Sequence, residues 1–245
     1  MSIDLDRITH PLRLAQGSHQ PGSGKGCAMN VISYINGDTK ITDYPECSAR
    51  PLAALVQMCN DQLAGPDGFL SPENSVLVLD LGWKTVGTAG VSDAVHALWI
   101  ADMLDSPEWG AVRFADEVGA VAIREIADLH RQAAAGQVLF AWAAWSAEWS
   151  AAWSAAWSAA ESAAESVAWS GAESGAGYAW SPARSAAESG AWNAARYAAE
   201  SVAESGALIE FTRQSITRWR ELADLDPETE IDAADINSAL ARIHG

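Results

Sequence analysis

A repeat of four residues dominates the middle of the chain. Tryptophan or glutamate followed by serine recurs at every fourth position from Trp145 to Ser174. Alanine, the strongest helix former, fills most of the other positions, and the spacing is close to one helical turn. The repeat therefore predicts helix. A flexible low-complexity linker is the alternative, but disordered tracts are poor in aromatic residues.

The four-residue repeat is longer than one turn of an α-helix, so successive repeats do not lie directly above one another. Each four-residue unit overshoots a turn by about 40°, because an α-helix has about 3.6 residues per turn. The rings from Trp145 to Trp157 should therefore spread over about 120° of the helix surface, which is too wide for a coiled-coil seam.

A break divides the low-complexity tract into two parts. Glycines between 171 and 177 interrupt the repeat, and Ser181-Pro182 is a helix start signal. The segments 134–174 and 182–224 are nearly equal in length. They predict an antiparallel helical hairpin with arms of about 60 Å.

The two flanking parts have an ordinary globular composition. We therefore predict an all-α protein with three parts. These are a helical head domain with a Gly-rich N-terminal loop (1–133), the Ala/Trp/Ser-rich hairpin (134–206), and C-terminal helices that pack back on the head (207–245).

Start and stop signals predict four to five helices in the head and a last short helix near the C-terminus. We expect one from Cys27 to Ile35 that ends at Asn36-Gly37, one capped by Ser48, one beginning at Ser71-Pro72, one from Ser92 to Ser106-Pro107, one over Val112–Leu129, and one from Ala233 to Ile243. The run Val76–Leu79 is also compatible with a strand.

Charge and composition exclude several classes of protein. The net charge of −17 disfavours nucleic acids and anionic membranes as partners. No apolar stretch is long enough to span a membrane, and Met1–Gln16 lacks the apolar core of a signal peptide. Three cysteines are not a disulfide framework. We therefore expect a cytoplasmic protein.

The loop Gly17–Gly26 is the candidate ligand site. It resembles a phosphate-binding loop in its glycines and Lys25, but Gly26 stands where that motif has Ser or Thr. The helix N-terminus that follows can hold an anion. This predicts a small anionic ligand, with a plain surface loop as the alternative, and the ligand-binding residues would be His19, Lys25, Gly26 and Cys27.

Cysteine chemistry is a further possibility near this loop. His19, Cys27 and Cys47 with Asp43 form a weak metal set, because zinc ligands usually come in close pairs. Cys27 at a helix N-terminus could pair with His19 as a nucleophile. Structural packing of Cys27 is the favoured interpretation, and Cys59 is expected in the core. We predict no catalytic residue, metal or cofactor.

A scattered pattern in the first 61 residues resembles a group of uncharacterised small proteins. The pattern is Gly17-Ser18-His19, Gly26-Cys27-Ala28-Met29-Asn30, Asp43-Tyr44-Pro45-Glu46-Cys47 and Asn60-Asp61. These proteins are encoded by actinobacteria and their bacteriophages, and some carry long Ala/Trp/Arg tracts. They usually have Glu at the position of Asn30. The resemblance implies a phage or mobile-element origin and no particular activity.

The sequence favours a non-enzymatic binding and assembly protein that forms a homo-oligomer or captures a protein partner. Exposed aromatic surface on this scale normally marks an interface. The predicted interface residues are Trp142, Trp145, Trp149, Trp153 and Trp157. The alternative is a ligand-binding or enzymatic head that uses the His19/Lys25/Cys27 loop for a nucleotide-like anion, for example to sequester a host signal.

Overall fold

The computed structural model describes residues 7–115, 117–137, 205–226 and 231–244. Its regular elements are α1 (Ala28–Asn36), α2 (Arg50–Gln62), α3 (Pro72–Lys84), α4 (Asp93–Asp105), a 3₁₀-helix (Ala111–Phe114), α5 (Glu117–Ala134), α6 (Ser205–Leu222) and α7 (Ala233–His244).

Helices account for all regular structure in these ranges, where β-pairing is limited to isolated bridges such as that between Ala15 and Phe69. The predicted all-α class is therefore confirmed for the described part of the chain. The five predicted interface tryptophans and nearly all of the predicted hairpin fall in residues 138–204, outside the described residues.

The described residues divide into two compact units, one within Met1–Val91 and Ser215–Gly245 and the other within Ser92–Gln214. In the first unit, α1 contacts α2, α3 and α7. Gly82 of α3 lies against α1, where an added Cβ would lie 3.4 Å from both Met29 Sδ and Ile32 Cγ1. The missing side chain at Gly82 therefore lets two helices approach closely.

The C-terminal half of α6 belongs to the first unit and packs on the segment that follows α3. Trp219 is buried, and its ring nitrogen donates to the Thr88 carbonyl at 3.2 Å. Arg220 donates to the Val86 carbonyl at 3.0 Å. These contacts satisfy carbonyl groups of a segment that has no regular structure of its own.

The second unit is built on α4 and α5. The guanidinium of Arg131 on α5 donates to Asp105 at 2.6 Å and to Asp102 at 3.3 Å, both on α4. Hydrogen bonds to Asp105 are the main reason why the pKa of Arg131 is raised. In the same unit, Trp109 packs edge-on against Phe211 with ring centroids 5.7 Å apart.

Local signals placed most helix ends correctly. Ser71 and Ser92 accept from the backbone N–H groups of Asn74 and Val95, so both predicted caps are confirmed. The C-cap of α1 is Gly37 with φ of 76°, as the predicted Asn36-Gly37 stop requires. The run Val76–Leu79 lies within α3, so the strand alternative is wrong.

Two predicted helix boundaries were wrong. Ser48 does not cap α2, whose N-cap is Ala49; the Ser48 hydroxyl instead pairs with that of Thr85 at 2.8 Å. The helix predicted over Val112–Leu129 is divided, because Ala115 is extended between the 3₁₀-helix and α5.

Candidate functional site

The site begins at the N-terminus of α1, where Cys27 is the N-cap residue. The backbone N–H of Cys27 donates to the side-chain oxygen of Asn30, one turn into the helix, at 3.2 Å. Both residues are buried. The interaction satisfies one of the backbone donors that a helix start leaves without an intrahelical partner.

A buried carboxylate lies against this helix start. Asp43, which is 9% exposed, accepts from three neutral donors. The Asn30 amide donates at 2.9 Å, the Cys27 thiol donates at 3.4 Å, and the Ser18 hydroxyl donates to the second carboxylate oxygen. Hydrogen bonds of this kind compensate the desolvation of the charged form.

A second set of hydrogen bonds joins the same helix start to the end of α2. Asn60 is fully buried, and its oxygen accepts from the Ala28 N–H at 3.2 Å. Its amide donates to the Ala15 carbonyl at 2.9 Å. The neighbouring Asp61 accepts from the Gly17 N–H at 2.8 Å. The end of α2 therefore fixes both the start of the Gly-rich loop and the start of α1.

We call these two sets together the Asp43 network. Its members are Ala15, Gly17, Ser18, Cys27, Ala28, Asn30, Asp43, Asn60 and Asp61. The candidate site residues inferred from the loop omitted all of these except Cys27. The signal that could have found them is the scattered pattern of residues between 17 and 61 described above, which includes every member except Ala15.

The Cys27 thiol is poorly suited to nucleophilic chemistry. Burial, and then the charge of Asp43, raise the pKa of Cys27 well above its ordinary value. A thiol must lose its proton to act as a nucleophile or a metal ligand. The side chain is also fully buried, so it behaves as a hydrogen-bond donor in the network.

The other three predicted ligand residues have separate surroundings. Lys25 is exposed, with its ammonium 5.3 Å from the centroid of the Phe69 ring. Gly26 is buried, and an added Cβ would lie 2.8 Å from Ile243 Cδ1, so a side chain at this position would force Ile243 of α7 to shift. The Nε2 atom of His19 is buried and has no hydrogen-bond partner among the described residues.

The weak metal set is not assembled. Within the ranges that the structure describes, no three His, Cys, Asp or Glu residues are grouped so that they could hold a metal ion. His19, Cys27, Asp43 and Cys47 all lie in those ranges. The half-buried Cys47 thiol instead lies 3.7 Å from the Ser48 hydroxyl, and burial raises the pKa of Cys47.

None of the helices in the described ranges has the length and apolar character needed to cross a membrane. No protein-family model, curated protein or solved structure matches this chain.

Proposed function

We propose that this chain is a non-enzymatic assembly protein. Its Trp-rich tract (residues 138–204) associates with other copies of the chain, and the helical units flank that tract in the sequence. On this proposal the protein acts in the cytoplasm and originates from a phage or mobile element. The tract forms the predicted antiparallel hairpin, and its aromatic surface is the interface.

The observation that carries the proposal is the concentration of tryptophan in one tract. Eight of the twelve tryptophans lie between residues 138 and 204, among alanine, serine and glutamate. Each ring buries about 150–250 Å² when covered. At about 25 cal/mol per Å² this corresponds to about 4–6 kcal/mol per ring, before the cost of association.

The Asp43 network is also better suited to a structural role than to catalysis. Cys27 is protonated, buried and engaged with Asp43. Asn30 and Asn60 each use both ends of their amides in holding backbone or carboxylate groups. A network whose members satisfy one another stabilises the start of α1 and leaves few groups available for catalysis.

Multi-angle light scattering tests the proposal. The unmodified chain at tens of micromolar should be oligomeric, and added salt should strengthen association by screening the charge of −17 on each copy. Replacing Trp149, Trp153 and Trp157 with Ala should give a monomer with unchanged thermal unfolding of the head.

A matched control replaces Trp180 and Trp192 with Ala, because both lie in the same tract but outside the predicted first arm, Trp180 in the predicted turn and Trp192 on the second arm. This variant should remain oligomeric. A monomeric unmodified chain would overturn the proposal, and so would a triple variant that associates as strongly as the unmodified chain.

A second candidate function is binding of a small anionic molecule by the loop that carries His19 and Lys25. The favouring observation is the buried Nε2 atom of His19, which has no hydrogen-bond partner among the described residues. Calorimetric titration with a nucleoside diphosphate tests this. Binding that is lost in His19→Ala, and retained in the exposed control Lys40→Ala, would favour the second candidate.

A further inference from the structure

Residues 7–12, which we call the strap, lie against α7 in the first unit. Of these six residues only Leu12 is buried, at 7% exposed, whereas Arg7, Thr9 and Pro11 are exposed. A segment that buries so little apolar surface gains little free energy from packing. Its attachment therefore depends on its polar contacts.

Asn237 of α7 holds the strap with both ends of its amide. Its side-chain oxygen accepts from the Thr9 N–H at 2.7 Å, and its nitrogen donates to the Arg7 carbonyl at 2.8 Å. The two hydrogen bonds lie on either side of Ile8. Asn237 therefore fixes the position of the strap backbone although it belongs to the opposite end of the sequence.

Two further contacts join the strap to the C-terminal part of the chain. The Nε2 atom of His244 donates to the Pro11 carbonyl at 3.2 Å. Arg7 lies 3.8 Å from Asp232, and both side chains are exposed, so this ion pair contributes little. All of these hydrogen bonds lie at the surface, where water can replace a lost partner at small cost.

The attachment of the chain changes at Arg13. Leu14 and Ala15, the next two residues, are each 1% exposed. The Leu14 N–H donates to the Ser75 hydroxyl at 3.1 Å, and the Leu14 carbonyl accepts from the Leu70 N–H at 2.9 Å. Buried hydrogen bonds cost more to break than exposed ones. Arg13 therefore separates a weakly held segment from a firmly anchored one.

The strap also forms one wall of a cavity of about 790 Å³. Ile8, His10, Pro11 and Leu12 line it from the strap, and the other lining residues beyond Arg13 belong to the connection from α2 to α3 and to the start of α3. Movement of the strap therefore changes the shape of this cavity and the access to it.

We propose that the strap is a movable wall of the cavity, latched to α7 by Asn237 and hinged at Arg13. It opens while α7 and the core stay folded, because opening breaks only surface hydrogen bonds and exposes Leu12. Asn237 is the positioning residue of the latch. This inference goes beyond the proposed assembly function and does not depend on it.

The test measures how fast a maleimide labels a cysteine on either side of the hinge in the full-length chain. Leu12→Cys places the thiol on the strap, and Leu14→Cys places it just beyond the hinge. Both are made with Cys47→Ser, since Cys27 and Cys59 are buried. Labelling of a buried thiol follows the population of the open state, so Leu12→Cys should react much faster than Leu14→Cys.

Removing the latch should accelerate only the strap thiol. Asn237→Ala deletes two hydrogen bonds and should speed labelling of Leu12→Cys about fivefold to thirtyfold. Thr9→Pro deletes one of them from the strap side, leaving α7 unaltered, and should give about twofold to tenfold. Neither should change labelling of Leu14→Cys. Ser238→Ala, at the exposed neighbour of Asn237, is the matched control and should change neither rate.

Three results would overturn the proposal. The first is equal labelling of the two thiols in the unmodified latch background, which would mean that the strap and the core open together. The second is acceleration of both thiols by Asn237→Ala, which would indicate a general loss of stability. The third is no acceleration of Leu12→Cys by either latch variant, which would show that Asn237 does not hold the strap closed.

Discussion

Asn30 and Asp43 meet at the start of α1, where the Asn30 amide donates to the Asp43 carboxylate at 2.9 Å. The other end of the same amide accepts from the Cys27 N–H. A negative charge near a helix N-terminus is favoured by the helix dipole. Asp43 therefore ties the connection between α1 and α2 to the end of α1 that most needs an acceptor.

Replacing Asp43 with Ala should destabilise the protein by about 1–3 kcal/mol, because the buried Asn30 amide and Cys27 thiol lose their shared acceptor. Asp43→Asn keeps one acceptor oxygen and should cost less than Asp43→Ala. Urea unfolding followed by circular dichroism measures both.

Glu46→Gln is the matched control for the Asp43 variants. It removes an exposed carboxylate three residues away and should change stability by less than about 0.5 kcal/mol. Equal effects of Asp43→Ala and Glu46→Gln would show that Asp43 does not hold the helix start.

Stability should fall as the pH rises above about 8.5, the ordinary pKa of a cysteine thiol. The raised pKa of Cys27 means that the folded state keeps this proton at a pH where the unfolded chain releases it. The folded state then binds more protons, so the free energy of unfolding decreases with increasing pH. Urea unfolding between pH 7 and 9.5 measures the slope.

Cys27→Ser should reduce this slope, because serine can still donate to Asp43 but does not titrate in that range. Cys47→Ser should reduce it less, since Cys47 is only half-buried. Tyr44 also has a pKa raised by burial, but it contributes above the ordinary tyrosine pKa of about 10. An unchanged slope in Cys27→Ser would contradict the proposed position of its thiol.

The three thiols should differ in their reaction with a maleimide reagent. Cys27 and Cys59 are buried, whereas Cys47 is partly accessible. At pH 7.5 one thiol per chain should therefore react in the native protein, and all three should react in urea. Peptide mapping should identify the native adduct at Cys47, and rapid native labelling of Cys27 would instead favour the nucleophile interpretation.

The helix ends that the sequence predicted correctly depend on neighbouring residues. The Ser71 and Ser92 hydroxyls accept hydrogen bonds from backbone N–H groups three residues further along the chain. Gly37 itself adopts the left-handed backbone conformation that ends α1. Such signals lie within one turn of helix, so they can be recognised from the amino-acid sequence alone.

The start of α2 could not be read in this way. The N–H of Ala49 donates to the Thr88 hydroxyl at 2.8 Å, across 39 positions of the chain. The same problem hid the Asp43 network, where Asn60 holds the Ala28 N–H from 32 positions away. A contact between residues so far apart in the sequence follows from tertiary packing, so the signals that mark a helix end within one turn cannot show it.

Gly26→Ala should destabilise the protein by about 1–3 kcal/mol through overpacking. The added Cβ would lie 2.8 Å from Ile243 Cδ1, between the start of α1 and the end of α7. Ile243→Val removes that terminal carbon and alone should cost about 0.5–1.5 kcal/mol. In the Ile243→Val background the cost of Gly26→Ala should fall, because the shortest contact is gone.

Gly206→Ala provides the control for this cycle, because Gly206 lies in α6 with open space around an added Cβ. It should be neutral or stabilising by up to about 1 kcal/mol. Urea unfolding of the single and double variants gives the coupling energy between Gly26 and Ile243. A coupling energy of zero would mean that the cost of Gly26→Ala does not come from contact with Ile243. Gly26 would then again be a candidate ligand-binding residue.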